Sequence, residues 1–518
     1  MKDKQNIIFF LFILFWSLGQ YVQAQNEKDS SGIIFPRPFA IAIDDLGWNI
    51  GNNDGADGEQ GPYRIGLNRQ MHLGDYKCIV EVAKAMNIRL QGVFILCEMD
   101  RENVLRNYPT TTRAGSNWDN SKNINQEQLE IMNYVKEQAA YLEFGLHGVG
   151  HEFWPEQEKR KRAEWYNTDD NEAWPQNEIA NHIEAFKKIL AQYHLSPKEG
   201  HSFPESFVPC AYSYHWNPNG DYSSGSMLAP EGVKYANTLF AEVKELNPPT
   251  EANGGGIDHG VLVLNRINYG NFWYQLSSVP TVSIDQQESD IIETHWSNWL
   301  AQDDFLQEET NKKWTNYFSM VQQQRDRYLA KNTEQFYSQW LYKKYTTIKE
   351  KTVGQVAIDN TGMPPEIYDY KLLSTLVLKV KLAEGQHISK AMINGKAIAS
   401  YYENAGFGFI ELPPLKAKKY QLNYEISKET LAVYIHHLGT SIIYHTMNRP
   451  HSFEFKTRIY GKQIIEIHGL EKPEDIYIDN NDVKLIHSDY QTDNKVLQLE
   501  VQAHDIQGET ASFIVKTN

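Results

Sequence analysis

The chain has 518 residues, of which 41% are hydrophobic, 22% charged and 12% aromatic. This composition is typical of a globular protein and excludes a disordered or fibrous one. The formal net charge of −16 argues against nucleic acid and anionic membranes as partners, because both bind basic surfaces. The length predicts about three domains. Three cysteines are too few for a disulfide framework, so Cys78 and Cys97 either pair or, with Cys210, stay as buried free thiols.

The N-terminus has the features of a secretory signal peptide. It begins with lysines, continues with an apolar run from Ile7 to about Leu18 and ends in VQA before Gln25. This order predicts cleavage after Ala24. The apolar run is shorter than the about 20 residues that a membrane-spanning helix needs, and no later segment is apolar enough to span a bilayer. We therefore expect residues 1–24 to be removed and the mature protein to be periplasmic or extracellular.

From about residue 35 to 350, short apolar runs alternate with helical patterns. The predicted strands are FAIAID (39–44), LQGVFILC (90–97) and LEFGLHG (142–148), and the predicted helices are GDYKCIVEVAKAMN (74–87), NQEQLEIMNYVKEQAAY (125–141) and NEIANHIEAFKKILAQYH (177–194). Continuously apolar strands separated by helices are typical of a parallel sheet covered on both faces. The sequence thus predicts an α/β domain over residues 25–350, of a length that suits a barrel and with helices at its C-terminal end.

The pattern changes at about residue 351 to apolar residues at every second position, as in STLVLKVKLA, KYQLNYEI, SFEFKTRI and KVLQLEVQAH. Short alternating runs separated by turn residues predict antiparallel strands of a β-sandwich. A break near ISKET (426–430) divides this region into two predicted all-β modules, residues 351–427 and 428–518. We expect them to be structural or sugar-binding appendages.

Residues suited to metal chemistry follow the buried strands. Asp44 and Asp45 end the first strand, His147 closes LEFGLHG, and His151 comes four residues later. Functional groups of parallel α/β sheets collect at the carboxyl ends of strands, and residues i and i+4 share one face of a helical turn. Two imidazoles and a carboxylate form a ligand set for Zn²⁺ or another first-row divalent ion. The structural alternative is that the carboxylates cap a helix and the histidines pack.

The order of these motifs resembles that of the polysaccharide deacetylase superfamily. An Asp-Asp pair follows the first strand, His-x-x-x-His follows a later strand, and His295 in DIIETHWSNW ends a late strand. The resemblance covers roughly residues 35–330 and implies a distorted, often incomplete (β/α) barrel. It also implies the roles of five residues: Asp44 as general base, Asp45, His147 and His151 as metal ligands, and His295 as general acid.

Two departures from the family pattern favour a second reaction. Leu46 separates the Asp pair from Gly47, and the family's arginine motif is missing, since HSFPES (201–206) contains no arginine. The same groups suit elimination of water from a uronic acid to give a 4,5-unsaturated sugar, which would make the enzyme a dehydratase or lyase. The basic run KRKR (159–162) is either a solvated face or a contact for an anionic oligosaccharide.

Aromatic residues near the proposed site elements support a sugar ligand, since flat rings stack on the apolar faces of sugars. The candidate substrate-binding residues are Trp48, Trp154, Trp216 and Trp296. Tyr212, Tyr214 and His215 are further contacts or packing residues, and His259 is a rival general acid.

The sequence therefore predicts an exported, divalent-metal-dependent, carbohydrate-active enzyme of polysaccharide degradation. Removal of acyl groups from an oligosaccharide or polysaccharide is the preferred activity, and elimination from a uronic acid is the alternative. A third hypothesis is a non-catalytic sugar-binding protein on the same fold. The predicted substrate is an oligosaccharide or polysaccharide, neutral or anionic.

Overall fold

The computed structural model describes residues 32–51, 67, 69–240 and 255–517. The predicted signal peptide, residues 1–24, lies outside the described residues. None of the described helices combines the length and the apolar character that a membrane span requires.

The first part of the chain alternates strands and helices. Its strands are β1 (Ile33–Ile34), β2 (Arg37–Leu46), β3 (Leu90–Ile95), β4 (Leu142–Gly148), β5 (Phe153–Glu156), β6 (Lys159–Lys161), β7 (Ser206–Phe207), β8 (Tyr235–Thr238), β9 (Gly255–Asp258), β10 (Val261–Asn265), β11 (Ile291–His295) and β12 (Arg327–Leu329). Its α-helices are α1 (Leu73–Met86), α2 (Gln126–Glu137), α3 (Gln176–Gln192), α4 (Ser224–Leu228), α5 (Trp296–Trp299), α6 (Gln307–Gln323) and α7 (Thr333–Tyr345).

These strands form a curled, half-barrel mixed sheet in the order β11-β2-β3-β4-β7-β8-β10-β9, and β12 also pairs with β2. Pairing is parallel along the order from β11 to β10, and β9 is antiparallel to β10. Just past β10, an isolated parallel bridge joins Ile267 to Ile292 of β11. The α/β prediction is confirmed, but the described strands do not complete a regular barrel, because this bridge is one residue pair and not a ladder.

The sheet is covered by helices because its strands are apolar on both faces. All six residues of β3 and all seven of β4 are buried. Ile79 of α1 and Ile189 of α3 are fully enclosed in the main core, and α7 is buried over most of its length. The carboxyl ends of the parallel strands therefore stand on a rigid support.

The second part of the chain is built of antiparallel strands. They are β13 (Thr347–Thr352), β14 (Gln355–Asp359), β15 (Leu376–Lys381), β16 (His387–Ile393), β17 (Lys396–Ala397), β18 (Tyr401–Asn404), β19 (Phe407–Leu412), β20 (Lys419–Ser427), β21 (Tyr434–His437), β22 (Ile442–Arg449), β23 (Ser452–Ile459), β24 (Lys462–His468), β25 (Pro473–Ile478), β26 (Val483–Gln491), β27 (Val496–Ala503) and β28 (Glu509–Thr517), with one short helix, α8 (Pro365–Asp369).

Two pairs of sheets result. The first pair is β1-β15-β19-β18 and β13-β14-β20-β16-β17, and the second is β21-β24-β27-β26 and β22-β23-β28-β25. The second pair has its own core, which includes Phe453, Leu499 and Phe513. The β region begins four residues before the predicted boundary at 351, and the N-terminal strand β1 joins its first pair of sheets.

The second pair of sheets packs against the amino ends of the strands of the curled sheet. Arg458 of β23 places Nη1 at 2.9 Å from Glu205 Oε2 and 2.8 Å from Glu334 Oε2. Arg89, which precedes β3, lies with its guanidinium carbon 4.5 Å from the centroid of the Tyr460 ring. The carboxyl ends of the strands, at the opposite end of the sheet, are therefore not covered by this module.

The three cysteines, Cys78, Cys97 and Cys210, are buried and free. Burial raises the pKa of each thiol well above its usual range. Of the two alternatives that the sequence left open, the structure therefore has the free thiols.

Candidate metal centre and active site

Asp44 and Asp45 end β2 at a bulge. The register between β2 and β3 shifts at this point, and Asp45 has a φ of 68°, which is in the left-handed region. A bulge interrupts the alternation of side chains along a strand, so two adjacent carboxylates can serve one site. Gly47 follows with a φ of 97°, where an added Cβ would lie 2.2 Å from the carbonyl oxygen of Ile95. Only glycine fits there.

His147 occupies a second bulge, in β4. Its neighbours Leu146 and Gly148 pair with consecutive residues of β3, so His147 itself is skipped by the ladder. Its Nδ1 lies 2.7 Å from the carbonyl oxygen of Val208, and because a carbonyl only accepts, Nδ1 carries the proton. In the neutral ring, Nε2 therefore presents a lone pair, and it lies 3.3 Å from Oδ1 of Asp45.

His151 lies in the irregular segment after β4 and not on a helical turn, which corrects the geometry expected from the i, i+4 spacing. Its φ is 67°. Its Nδ1 lies 3.1 Å from Oε1 of Glu152, which leaves Nε2 directed elsewhere, at 4.0 Å from Oδ1 of Asp45. The Trp48 ring packs on the imidazole, with a centroid separation of 4.7 Å, and so fixes its plane.

The buried carboxylate of Glu164 holds this segment in place. It accepts hydrogen bonds from the backbone N–H groups of Val149 at 2.8 Å and His151 at 2.8 Å, and His182 Nδ1 lies 2.9 Å from it. A Cβ on Gly148 would lie 2.2 Å from Oε2 of Glu164. The loop that carries His151 is therefore built around this one carboxylate.

The donor set fits a divalent cation. Both histidines have Nδ1 bound to an acceptor, the second-sphere arrangement typical of metal-ligating imidazoles, and both Nε2 atoms approach Oδ1 of Asp45. Among the described residues, that buried oxygen has no hydrogen-bond partner. Burial opposes charge on Asp45, but the histidines outweigh it and hold its pKa below the usual range. A buried carboxylate oxygen without a hydrogen-bond partner, with the Nε2 atoms of two imidazoles 3.3 and 4.0 Å away, is an arrangement that a bound cation would satisfy.

Cys210 is a further candidate ligand. Ligand atoms of His147, His151 and Cys210 lie within 4.8 Å of one another. The thiol donates to the carbonyl oxygen of His147 at 3.2 Å, and its pKa is raised well above the usual range by burial and by Glu164. Because the thiolate is the form that binds metals, Asp45 is the stronger third ligand.

Asp44 is bound by an arginine that the sequence analysis did not identify. Its Oδ1 and Oδ2 lie 2.7 and 2.5 Å from Nη1 and Nη2 of Arg266, the bidentate geometry that suits a guanidinium and a carboxylate. Both side chains are buried. Burial opposes ionisation, but Arg266 more than offsets it and lowers the pKa of Asp44. The carboxylate is therefore ionised and fixed in orientation.

His295, the last residue of β11, also lies near Asp44. Its Nε2 lies 3.9 Å from Oδ2 of Asp44, and its Nδ1 lies 3.7 Å from Oε1 of Glu293. The hydroxyl of Tyr212 donates to the same Glu293 oxygen at 2.7 Å. Tyr212 has a φ of 62°, in the left-handed region. Asp44, Asp45, His147, His151 and His295 thus lie together at the carboxyl ends of β2, β4 and β11.

The four tryptophans proposed as sugar contacts lie mostly in the interior. Trp48, Trp154 and Trp296 are at most 2% exposed, and Trp216 is half-buried beside Tyr214, with ring centroids 6.2 Å apart. Stacking on a sugar needs an open ring face, which three of them do not show in this conformation. They pack around the site instead.

The basic run lies on the β5–β6 hairpin and is engaged with acidic partners. Arg160 Nη2 lies 2.9 Å from Glu152 Oε1, the same oxygen that His151 Nδ1 approaches, and Lys161 Nζ lies 2.6 Å from Asp170 Oδ2. His259 lies elsewhere, with Nδ1 at 2.9 Å from Oδ1 of Asp258. Neither the run nor His259 joins the five residues described above.

Three residues of the site were not identified from the sequence. Arg266 directly follows the strand VLVLN. The rule that identified Asp44, a charged residue at the carboxyl end of an apolar strand, would therefore also have identified Arg266. Glu293 is two residues before His295 in one strand, on the same face. Glu164 binds backbone amides, which leave no trace in the sequence.

No protein-family model matches this chain, and no curated protein matches it. Among solved structures, it is compared with the catalytic module of a family 98 glycoside hydrolase from Streptococcus pneumoniae, solved with the LewisY pentasaccharide blood group antigen. That alignment covers 93% of this chain and 99% of the other at 10% identity, with a TM-score of 0.13. A likeness of this size assigns neither a family nor an activity.

Proposed function

We propose that the protein is a divalent-metal-dependent hydrolase that removes acyl groups from an oligosaccharide or polysaccharide. The observation that carries the proposal is the convergence of the Nε2 atoms of His147 and His151, at 3.3 and 4.0 Å, on Oδ1 of Asp45, next to the carboxylate of Asp44. His147, His151 and Asp45 would hold Zn²⁺ or another first-row ion.

The two adjacent carboxylates take different roles in this proposal. A bound cation would polarise an acyl carbonyl and acidify a water molecule. Asp44 accepts the proton of the attacking water, since Arg266 keeps it ionised and turned toward the site. Its lowered pKa makes it a weak base, which is sufficient only for an acidified water.

His295 protonates the leaving alcohol or amine. Its Nε2 lies 3.9 Å from Oδ2 of Asp44, the proposed base. Glu293 and Tyr212 are positioning residues, because they hold the Nδ1 side of the ring through a contact at 3.7 Å and a hydrogen bond at 2.7 Å. Proton acceptor and proton donor are therefore adjacent, as ester or amide hydrolysis requires.

Exposed aromatics on the loop after β10 support a carbohydrate substrate. Phe272 and Tyr274 are 47% and 52% exposed, and their rings stack with centroids 5.7 Å apart. Asn298 ties this loop to His295, because its Nδ2 donates to the Phe272 carbonyl oxygen at 2.9 Å and its Oδ1 accepts from His295 N–H at 2.9 Å. Exposed flat rings on a loop whose backbone is tied to that of the proposed proton donor suit the apolar face of a sugar.

Two observations favour hydrolysis over elimination from a uronic acid. The missing arginine motif motivated elimination, and Arg266 now supplies a guanidinium for Asp44. The basic run also motivated it, and Arg160 and Lys161 are engaged with Glu152 and Asp170. Neither observation now calls for an anionic substrate.

Incubation of the zinc-loaded protein with acetylated and uronic-acid oligosaccharides, read by mass spectrometry, tests the activity. We expect products lighter by one acetyl group and released acetate. Loss of one water, with the ultraviolet absorbance of a conjugated enol ether, would instead establish elimination.

Variants test the division of roles. Asp44→Asn should retain the metal and lose activity by about 10²- to 10⁴-fold, whereas Asp45→Asn and His147→Ala should lose the metal. Equal metal occupancy in all three variants contradicts the assignment. A wild-type protein that binds oligosaccharides equally well with and without chelator, and turns none over, would be the non-catalytic sugar-binding protein.

A further inference from the structure

A second group of metal-ligating side chains lies in the second pair of β-sheets, far along the chain from the site above. His436, Glu466 and His468 place one ligand atom each within 4.8 Å of one another. They come from two paired strands, β21 and β24, in which Tyr434 stands opposite His468.

Strand geometry brings the three side chains to one face. Glu466 and His468 are two residues apart in β24, and the alternate residues Ile465 and Ile467 are fully buried in the core, so the two polar side chains face outward. The β21–β24 register shifts between Ile435 and His437. His436 is the extra residue at this bulge, which turns its ring toward His468, with centroids 4.6 Å apart.

The group contains an unpaired nitrogen. His468 Nε2 lies 2.5 Å from Glu466 Oε1, and Gln498 Nε2 donates to Glu466 Oε2 at 2.9 Å. Nδ1 of His436 is buried and, within the part of the chain that the structure describes, has no hydrogen-bond partner. An unpaired buried nitrogen costs about 1–3 kcal/mol, and a cation would remove that cost.

We propose that His436, Glu466 and His468 bind a second divalent cation of the zinc class. Two imidazoles and one carboxylate are ligands that Zn²⁺ takes at about 2.0–2.2 Å in tetrahedral sites, with the fourth position left to water. Rotation of the His468 and Glu466 side chains, which are about a quarter exposed, allows the ligand atoms to reach that spacing.

The location gives this cation a structural role. β21 also contacts the first pair of sheets, because Ile435 N–H donates to the Ala399 carbonyl oxygen at 2.7 Å and Ile435 bridges Ser400. A cation that joins β21 to β24 therefore secures the edge strand at which the two β modules meet. His436 also lines a groove of about 220 Å³ whose other walls include Asn87 and Tyr328 of the α/β part of the chain and Tyr402 of the first pair of sheets.

Zinc stoichiometry of the full-length mature protein tests the proposal. We expect two zinc ions per chain in wild type and one in His436→Ala, by elemental analysis and calorimetric titration with zinc alone. The double variant Asp45→Asn/His147→Ala should retain one, and adding His436→Ala to it should leave none. His487→Ala, an exposed histidine of the same module, is the matched control and should change nothing.

The outcome separates the two sites. If His436→Ala and His468→Ala both keep the wild-type stoichiometry, the proposed second site is wrong, whether or not His147, His151 and Asp45 bind zinc. If His436→Ala does not fold, the more exposed His468→Ala decides, since loss of one ion from that folded variant supports the site and retention overturns it. Two imidazole ligands in the X-ray absorption spectrum of the zinc-loaded Asp45→Asn/His147→Ala protein are expected, and none would contradict the assignment.

Discussion

The two ends of the curled sheet both bury charged side chains, but they satisfy them differently. At the amino end, Arg458 joins Glu205 and Glu334 at 2.9 and 2.8 Å, and Arg89 lies 3.1 Å from Glu143. Considering only the described residues, none of the polar side-chain atoms of these five is both buried and without a hydrogen-bond partner. At the same end, Oδ1 of Asp290 and Nη1 of Arg327 have no hydrogen-bond partner among the described residues, but they lie 3.5 Å apart as an ion pair, and Arg37 Nη2 lies 2.6 Å from the same Asp290 oxygen.

At the carboxyl end, buried charges remain open. Oδ1 of Asp45, Oε2 of Glu293 and Nδ1 of His295 lack hydrogen-bond partners among the residues described. Asp45 and His151 also adopt left-handed backbone conformations. Unsatisfied polar atoms and strained backbone both cost stability, and a ligand bound at this end would offset part of that cost.

The difference separates structural from functional charge. Burial of ionisable groups is common to both ends and does not distinguish them. Hydrogen bonding separates the clusters compared, because the Arg458 and Arg89 pairs leave no buried polar atom unpaired among the described residues, whereas Asp45, Glu293 and His295 do.

The largest effect should follow removal of a charge from the amino end. Arg458→Met removes the guanidinium that buried Glu334 and half-buried Glu205 share, and we expect the free energy of unfolding to fall by about 3–5 kcal/mol. Urea denaturation measures it. Arg449→Met, in an exposed pair with Glu454 at 3.2 Å, is the control and should cost about 0–1 kcal/mol. The zinc affinity of the site formed by His147, His151 and Asp45 should be unchanged in folded Arg458→Met.

The strands that build this framework could be predicted from the sequence. LEFGLHG was expected over 142–148 and is β4 with the same bounds, and the helix expected over 177–194 is Gln176–Gln192. Such runs are local, because burial on both faces forces every residue to be apolar. The packing of the second β module on the amino ends could not be predicted, since it depends on contacts such as Arg458–Glu205, which lie far apart in the sequence.

The site was predictable where a polar residue ends an apolar strand. Asp44, Asp45, His147 and His295 obey that rule, and Arg266 obeys it too, although it was not identified. Glu164 follows no such rule, because its partners are backbone amides. The spacing of His147 and His151 indicated a shared site for the wrong reason, since a strand bulge and a loop bring them together and not a helical turn.

Zinc bound by His147, His151 and Asp45 should stabilise the protein, because it would pair the unpaired Oδ1 of Asp45. In His436→Ala, only the site of His147, His151 and Asp45 should bind zinc. Zinc at 100 times its dissociation constant should then raise the free energy of unfolding by about 2.7 kcal/mol. Thermal denaturation followed by circular dichroism measures the gain. Introducing Asp45→Asn should remove it. A gain that survives Asp45→Asn would show that the unpaired oxygen is not a metal ligand.

Glu164 lies at the carboxyl end of the sheet, but its carboxylate accepts hydrogen bonds from backbone N–H groups. In Glu164→Gln the amide NH₂ faces the backbone N–H groups of Val149 and His151, so the loop loses its shared acceptor. We expect zinc affinity to fall by about 10- to 100-fold, as for other groups that orient metal ligands. Competition with a chromogenic chelator measures it. Glu172→Gln, on an exposed side chain of the same segment, should leave the affinity unchanged.

The smallest effect concerns pH at the amino end. Burial opposes ionisation of Glu205, but Arg458 and Lys234 lower its pKa from 4.5 to about 2. Because the folded pKa is the lower one, this stabilisation is present above pH 4.5 and is lost as the pH falls toward about 2. Lowering the pH from about 7 to about 4 should therefore remove less than about 1 kcal/mol through this group. Urea denaturation at both pH values should show that Glu205→Gln lacks this part of the acid dependence, and an identical dependence in the variant would place the acid sensitivity elsewhere.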